Sequence, residues 1–307
     1  MTKERMRLKE SNQGILYAAS AYTLWGFLPI YWKLVDNVSA GGILAHRIIW
    51  SFIFMLTLVL ILGKKTSFFK ECQSILSDRK KWIGISLAGI VISINWLTYI
   101  WAVNSGHVIQ ASLGYYINPL VSILLGIIVL KEGITKRQLF SFILAGIGVL
   151  YLTISYGVFP WISLALAFSF GLYGLLKKTV DISAMFGLTI ETLVVTPMAL
   201  LYVIAFSNET LQADVFLSHT GILLIGAGIA TALPLLLFAK GAKQIPLSMI
   251  GFLQYIAPTI MLFLGVFLYK ETFSSEHFIS FLLIWIALIV YMLSARHGGS
   301  STSQTKQ

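Results

Sequence analysis

Long apolar segments recur along this chain and are separated by short stretches that carry most of its charged residues. A helix needs about 17 to 25 mainly apolar residues to cross the roughly 30 Å hydrocarbon core of a bilayer. Ten segments have that length and are predicted to span a membrane: 14–33, 40–62, 82–103, 109–130, 137–155, 159–176, 184–206, 220–239, 247–269 and 277–294. The longest connection, 63–81, is too short for a separate domain. We therefore predict an all-α polytopic membrane protein with ten transmembrane helices.

The composition supports this prediction, because 57% of the 307 residues are hydrophobic and only 11% are charged. Soluble domains carry about 25% charged residues. The net charge of +10 is also typical of nucleic-acid binding, but the basic residues form short clusters between apolar segments, as topology signals do. The single cysteine, Cys72, excludes an intrachain disulfide framework, and the five histidines show no metal-ligand spacing. We expect no cofactor, no metal and no nucleic-acid partner.

The positions of the basic residues predict the orientation in the membrane. With a cytoplasmic N-terminus and ten crossings, all but three of the 22 Lys and Arg residues lie on the cytoplasmic side. The exceptions are Lys33 and Lys270 in predicted outer loops and Arg47 within a span. The basic N-terminus precedes an apolar segment without a convincing cleavage site, so segment 14–33 is predicted to be retained. Both termini are therefore predicted to be cytoplasmic.

An internal repeat is visible in the sequence. Segment 115–132 aligns without gaps to segment 254–271, at an offset of 139 residues. The identities are Tyr116 with Tyr255, Pro119 with Pro258, Gly126 with Gly265, Lys131 with Lys270, and Glu132 with Glu271. An offset of 145 pairs Gly26 with Gly171. We therefore predict two five-helix repeats, 1–156 and 157–307.

The odd number of helices in each repeat determines their relative orientation. After five crossings, the second repeat enters the membrane from the opposite side, so the two repeats are inverted. Inverted repeats are a known construction for secondary transporters, because exchanging the conformations of the two halves changes the side to which the site opens. The repeat therefore predicts alternating access to a small-molecule substrate.

Two predicted spans contain charged residues, which are costly at membrane depth. Arg47 lies roughly 10 Å from the outer end of its span. We expect it to contact substrate or a gate; snorkelling or a structural hydrogen bond is the alternative. The offset of 145 pairs His46 with Glu191, which lies toward the opposite face. Glu191 is the candidate for proton coupling, and a static partner for Arg47 or His46 is the alternative.

Polar and aromatic residues within the spans are candidates for lining a cavity. The predicted substrate-binding residues are Arg47, His46, Asn95, Tyr99, Tyr115, Tyr116, Asn118, Gln254, Tyr255 and Trp25. Pro119 and Pro258 occupy equivalent positions and are predicted to kink their helices, since proline removes one backbone hydrogen bond. Symmetric interruptions of this kind point to the binding region of a transporter.

Three long strings carry a family resemblance: AHRIIWSF (45–52), NWLTYIWAVNSGHVIQASLGYYINP (95–119) and FSFGLYGLLKK (168–178). They resemble the RarD branch of the EamA transporters, in the drug/metabolite transporter superfamily, and the resemblance covers nearly the whole chain. It implies a ten-helix, inverted-repeat permease of the bacterial inner membrane with a central cavity. It also implies a homodimer, because the terminal helices of that superfamily are associated with dimer contact.

These observations predict a secondary active transporter rather than an enzyme. We expect an exporter of a metabolite, an amino acid or a drug-like compound, driven by proton coupling or by exchange. Import of a metabolite is the first alternative. An intramembrane enzyme is the second, although no catalytic constellation is visible in the sequence. A receptor or assembly partner is the third, for which inverted duplication is unnecessary.

Overall fold

A computed structural model describes residues 3–35, 37–104, 108–157, 161–207, 210, 213–268 and 274–298. These residues form thirteen α-helices and no β-strand, which confirms the all-α prediction for this part of the chain. The helices are α1 (Lys3–Lys33), α2 (Ala40–Ile61), α3 (Lys65–Ser77), α4 (Arg79–Asn104), α5 (Val108–Ile128), α6 (Lys136–Tyr156), α7 (Trp161–Thr179), α8 (Ala184–Phe206), α9 (Ala213–Phe216), α10 (His219–Gln244), α11 (Leu247–Gln254), α12 (Ile256–Phe263) and α13 (Ser275–Gly298). A π-helical turn, Leu264–Leu268, extends α12.

The helices have the length and surface of membrane spans. Seven segments of the described chain are long and apolar enough to cross a bilayer: Ala40–Ile61, Arg79–Tyr99, Lys136–Ser155, Ala184–Phe206, His219–Gln244, Leu247–Leu268 and Ser275–Ser294. Helices α1, α5 and α7 occupy the other three predicted spans. Ile154, Met198 and Leu201 are each at least 68% exposed, which is favourable in lipid and costly in water. The structure thus indicates a polytopic membrane protein, and the count of ten crossings stays a prediction.

One helix, α3, lies within the connection 63–81. Phe68 and Ile75 on α3 are buried, and the Phe68 ring centroid is 5.6 Å from that of Phe186 on α8. A 13-residue amphipathic helix is too short to cross a bilayer, so a search for spanning segments does not find it.

Several helices extend beyond their predicted ends, and α7 and α10 are examples. Helix α7 continues from the predicted 176 to Thr179, and α10 continues from 239 to Gln244. Lys177, Lys178, Lys240 and Lys243 therefore lie in helical turns beyond the predicted ends of their spans. Lysine is stabilised in the last turn of a helix by the partial negative charge there, so a basic residue does not mark the helix end.

The two equivalent prolines have different consequences. The segment containing Pro258 is divided into α11 and α12 at Tyr255, next to the Gln254 carbonyl that the proline ring displaces. Helix α5 continues through Pro119 without a break. The predicted kinks at Pro119 and Pro258 stay predictions, since a continuous membrane helix tolerates a proline when neighbouring groups compensate for the lost hydrogen bond.

The first helix of each predicted repeat packs against helices of the other predicted repeat. Helix α1 packs against α10 and α12, whereas α7 packs against α4 and α5. Both contacts are close at a glycine. A Cβ atom at Gly26 would lie 2.7 Å from Cβ of Ile260, and one at Gly171 would lie 3.0 Å from Cγ1 of Val121. Because small residues let helix backbones approach closely, these glycines determine how α1 and α7 reach the opposite repeat.

Candidate functional site

Arg47 on α2 connects four helices. Its Nε donates a hydrogen bond of 3.0 Å to Oγ1 of Thr231 on α10. Its Cζ atom lies 4.5 Å from the ring centroid of Trp32 on α1 and 4.8 Å from that of Trp96 on α4. Each such cation–π contact is worth about 0.5 to 2 kcal/mol, depending on desolvation. The contacts hold the guanidinium in one position inside the helix bundle.

Two tyrosines complete the surroundings of Arg47. Tyr99 on α4 and Tyr115 on α5 pack edge to face, with ring centroids 5.5 Å apart. Both lie within electrostatic range of the Arg47 guanidinium, and all three side chains are half-buried. The predicted site residues Arg47, Tyr99 and Tyr115 are therefore brought together, and we call these three with Trp32, Trp96 and Thr231 the Arg47 cluster.

The charge of Arg47 has no counter-ion in the described part of the chain. No described carboxylate lies within 4.0 Å of its guanidinium, and its only hydrogen bond to a described residue is the one from Nε to Thr231. The terminal Nη atoms thus keep N–H groups available, in a planar arrangement that matches a carboxylate.

A second charged cluster lies on α7 and α8. Nζ of Lys177 is 2.7 Å from Oε1 of Glu191, and both side chains are nearly inaccessible to solvent, at 6% and 5% exposure. The hydroxyl of Tyr173 donates a hydrogen bond of 3.4 Å to Oε2 of Glu191. Such a pair is retained only because each charge compensates the other. Glu191 is therefore paired with Lys177 in this structure, and not with Arg47 or His46, the two partners considered from the sequence.

A small cleft with a volume of about 20 Å³ lies beside this ion pair. Helices α4, α7, α8 and α10 contribute its lining, which includes Gly84, Ala88, Gly187, Lys177, Glu191 and Lys243. Nζ of Lys243 donates a hydrogen bond of 2.9 Å to the carbonyl oxygen of Val180. Nζ of Lys178 donates one of 2.7 Å to that of Ile245. These two bonds connect the ends of α7 and α10, so lysines hold this end of the bundle together.

His46 and Asn95 make contacts of a structural kind. Nε2 of His46 lies 2.8 Å from Oγ1 of Thr210, while its buried Nδ1 has no partner among the described residues. Nδ2 of Asn95 donates hydrogen bonds to the Leu166 carbonyl oxygen at 2.9 Å and to Oγ of Ser169 at 2.8 Å. The amide donors of Asn95 thus join α4 to α7.

Two other predicted residues retain unused polar atoms. Oδ1 of Asn118 on α5 and Oε1 of Gln254 on α11 are buried and have no hydrogen-bond partner in the described residues. A buried acceptor without a donor costs about 1 to 3 kcal/mol. These two oxygens are therefore unsatisfied acceptors inside the helix bundle.

The remaining predicted aromatic residues lie in packed interfaces. The Trp25 ring packs against Tyr22, Phe170 and Phe238, with centroids 5.3 to 5.8 Å apart. Tyr116 packs edge to face on Phe281 at 5.1 Å. The hydroxyl of Tyr255, a residue only 1% exposed, donates to the Tyr116 carbonyl oxygen. These residues shape the interior without a direct contact to Arg47.

Glu132 caps the beginning of α11. Its Oε1 accepts a hydrogen bond of 2.7 Å from the backbone N–H of Leu247, and its Oε2 accepts one of 2.9 Å from that of Ser248. A carboxylate at a helix N-terminus satisfies free N–H groups and is stabilised by the helix dipole. The repeat counterparts of Lys131 and Glu132, which are Lys270 and Glu271, lie outside the described residues.

The model of the EamA-like transporter family matches residues 12–154 and, separately, 159–293. The chain belongs to the EamA-like transporter family. The resemblance to the RarD branch is confirmed as well, since Protein RarD of Escherichia coli (strain K12) is 41% identical over 97% of this chain and 100% of that protein.

Other relatives of this EamA-family chain carry similar names. An uncharacterized transporter of Bacillus subtilis (strain 168), YojE, is 48% identical over 94% of this chain and 96% of that protein. A protein of Pseudomonas aeruginosa described as chloramphenicol-sensitive protein RarD is 25% identical over 92% of this chain and 94% of its own. One crystal structure, 17% identical with a TM-score of 0.72, covers 93% of this chain and 98% of the solved one, and it shares the fold.

Five residues of these two clusters are not among the predicted substrate-binding and proton-coupling residues: Trp32, Trp96, Thr231, Lys177 and Tyr173. The repeat itself points to two of them, because Trp32 and Lys177 are equivalent at the offset of 145. Helix periodicity points to a third, because Trp96 and Tyr99 lie three residues apart on one face of α4. Thr231 carries no comparable pattern and is found only through the contact with Arg47.

Proposed function

We propose that this protein is a secondary active transporter of a small organic solute, working by alternating access between two inverted five-helix repeats. We propose ten crossings, a location in the bacterial inner membrane, both termini in the cytoplasm, and export of a metabolite, amino acid or drug-like compound. Import is the alternative direction. Membership of a transporter family and the transporter names of the relatives support this function over an enzyme.

The exchange of helix partners is the observation that carries the proposal. Gly26 and Gly171 are equivalent at an offset of 145, and their contact residues Ile260 and Val121 are equivalent at an offset of 139. The first helix of each proposed repeat thus makes the same contact with the fourth helix of the other. Such reciprocal contacts are expected when two copies are related by a two-fold axis. The two separate matches of the family model also support a duplication into 1–156 and 157–307.

The Arg47 cluster is the proposed centre of solute binding. Its guanidinium has unused donors beside Trp32, Trp96, Tyr99 and Tyr115. The buried, unpartnered oxygens of Asn118 and Gln254 would extend the polar lining. His46, Asn95, Tyr116, Tyr255 and Trp25 are proposed to position these groups, since each makes the helix contacts described above.

Glu191 is proposed to couple transport to protons through the ion pair with Lys177. In the paired state the carboxylate accepts a hydrogen bond of 2.7 Å from the ammonium group of Lys177. Protonation would cancel that attraction and release α7 from α8, and deprotonation would restore it. The pair lies beside the open cleft, which would give protons access. We further propose a homodimer, as the family resemblance implies.

Counterflow in proteoliposomes tests the transport proposal. A thermal-shift screen of metabolites and antibiotics first selects compounds that stabilise the purified protein. Vesicles loaded with such a compound should then transiently accumulate its radiolabelled form from outside, whereas protein-free vesicles should not. If the stabilising compounds show no counterflow, or are chemically converted, the transporter proposal is wrong and the enzyme alternative replaces it.

A further inference from the structure

The Arg47 cluster contains a cation but no anionic group among the described residues. Thr231 accepts the hydrogen bond from Nε, and the rings of Trp32 and Trp96 lie within 5 Å of Cζ, at 4.5 and 4.8 Å. The terminal Nη groups donate to no described residue, and no described carboxylate is within ion-pair distance. A guanidinium whose Nη donors are unused can bind an anion through two parallel hydrogen bonds.

The second repeat provides an internal comparison. Trp32 and His46 correspond to Lys177 and Glu191 at the offset of 145. Lys177 has its own carboxylate at 2.7 Å, whereas Arg47, the residue after His46, has none among the described residues. A cation at membrane depth is costly unless it is paired. A carboxylate on a bound solute can therefore provide for Arg47 the negative charge that Glu191 provides for Lys177.

We propose that the transported solute carries a single carboxylate, which binds the Nη edge of Arg47, next to an aromatic or apolar body. This inference rests on the proposed transport function and names its substrate class. Arg47 is the one cation among the six residues of the Arg47 cluster, and a single cation suits one negative charge better than a phosphate or a dicarboxylate. The rings of Trp32, Trp96, Tyr99 and Tyr115 offer apolar and edge-to-face contacts for the body of the solute.

Matched acid and amide pairs test this substrate class without any mutation. Indole-3-acetate with indole-3-acetamide, and benzoate with benzamide, have the same body and differ only in the charged group. Calorimetric titration of the full-length protein in nanodiscs should give at least tenfold tighter binding of the acid in one or both pairs. Equal or tighter binding of both amides, or no binding of either acid, would overturn the proposal.

Variants of Arg47 test where the carboxylate binds. Arg47→Gln should weaken acid binding at least tenfold and weaken amide binding much less, because the amide carries no negative charge. Lys70→Gln is the matched control, because it removes the same charge from an exposed residue of α3, and it should bind both compounds normally. Arg47→Lys keeps the charge but not the planar arrangement of donors, and it should weaken acid binding several-fold. This variant provides the test if Arg47→Gln does not fold. Acid binding that is unchanged in Arg47→Lys and in a folded Arg47→Gln would overturn the proposal.

Counterflow distinguishes failure of this inference from failure of the transport proposal. If wild-type protein moves the amides as well as the acids, transport stands and the carboxylate requirement is wrong. If the acids bind in an Arg47-dependent manner but show no counterflow, the carboxylate site stands and the transport proposal is wrong.

Discussion

The hydroxyl of Tyr255 donates a hydrogen bond of 3.4 Å to the backbone carbonyl oxygen of Tyr116. These two tyrosines occupy equivalent positions of the sequence repeat, at the offset of 139. Equivalent residues of two copies meet directly only close to the axis that relates the copies. The contact therefore supports a proposed two-fold axis between α5 and the segment formed by α11 and α12, where these helices pack together.

The close contact at Gly26 predicts the effect of one added methyl group. In Gly26→Ala, the new Cβ would lie 2.7 Å from Cβ of Ile260, a branched atom with little freedom to move. We expect α1 to separate from α12 and the free energy of unfolding to fall by about 1 to 3 kcal/mol, as overpacking does. Denaturant-induced unfolding in detergent measures this change.

Gly146→Ala is the control for that experiment. A Cβ atom at Gly146 on α6 would meet no heavy atom within 4 Å. Alanine is favoured over glycine in a helix by roughly 0.5 to 1 kcal/mol, so this variant should be at least as stable as the wild type. Equal stability of both alanine variants would contradict the assigned contact between Gly26 and Ile260.

The Glu132 cap predicts a charge-dependent contribution to stability. Glu132→Gln keeps the side-chain size but removes the charge that receives two backbone N–H groups of α11. Charged hydrogen bonds are worth about 1.5 to 3 kcal/mol, compared with about 1 for neutral ones. We expect a loss of about 1 to 2 kcal/mol in free energy of unfolding. The exposed Glu10→Gln should change it little, and an equal effect of both substitutions would argue against the cap.

The Lys177–Glu191 pair predicts strong coupling between two substitutions. Lys177→Met leaves the Glu191 carboxylate buried without compensation, which costs about 3 to 5 kcal/mol. The double variant Lys177→Met/Glu191→Gln removes both charges and should recover most of this loss. A double-mutant cycle of unfolding free energies measures the coupling. Additive effects would show that the two charges do not compensate each other.

Proton coupling through Glu191 predicts a loss of flux. Solute-dependent proton flux into proteoliposomes, followed with a pH-sensitive dye, should disappear in Glu191→Gln. Counterflow of the solute should continue in this variant, because exchange needs no net proton movement. Unchanged proton flux would remove Glu191 from the mechanism, and Lys70→Gln again provides a control with an altered exposed charge.

Much of the fold could be predicted from the sequence because lipid imposes a simple length rule. Apolar segments gave the positions of the long helices, and Pro258 indicated the interruption at Tyr255. Helix α3 was missed because its amphipathic pattern is weaker than that of a spanning segment. The end of α7 was misplaced because consecutive lysines are equally common in loops and in last helical turns.

The partners of the charged residues could not be predicted in the same way. Arg47 and Glu191 were recognisable because charges are rare at membrane depth. Their contacts with Thr231 and Lys177 depend on which helices become neighbours and on how far each side chain reaches. Thr231 is 184 residues from Arg47, and nothing in the local sequence of either residue encodes that contact.

The sidedness of two equivalent positions tests the inverted repeat most directly. Leu34, just after α1, and Thr179, the last residue of α7, are equivalent at the offset of 145 and both are exposed. Burial raises the pKa of the Cys72 thiol, which lowers its reactivity, and Cys72→Ser removes this single native cysteine. In that background, Leu34→Cys and Thr179→Cys each provide one site for a membrane-impermeant maleimide.

Labelling of these cysteines in intact and permeabilised cells gives the decisive comparison. The inverted repeat predicts that Leu34→Cys reacts in intact cells, whereas Thr179→Cys reacts only after the membrane is permeabilised. Reaction of both cysteines from the same side would contradict the inverted repeat, and with it the proposed mechanism of alternating access.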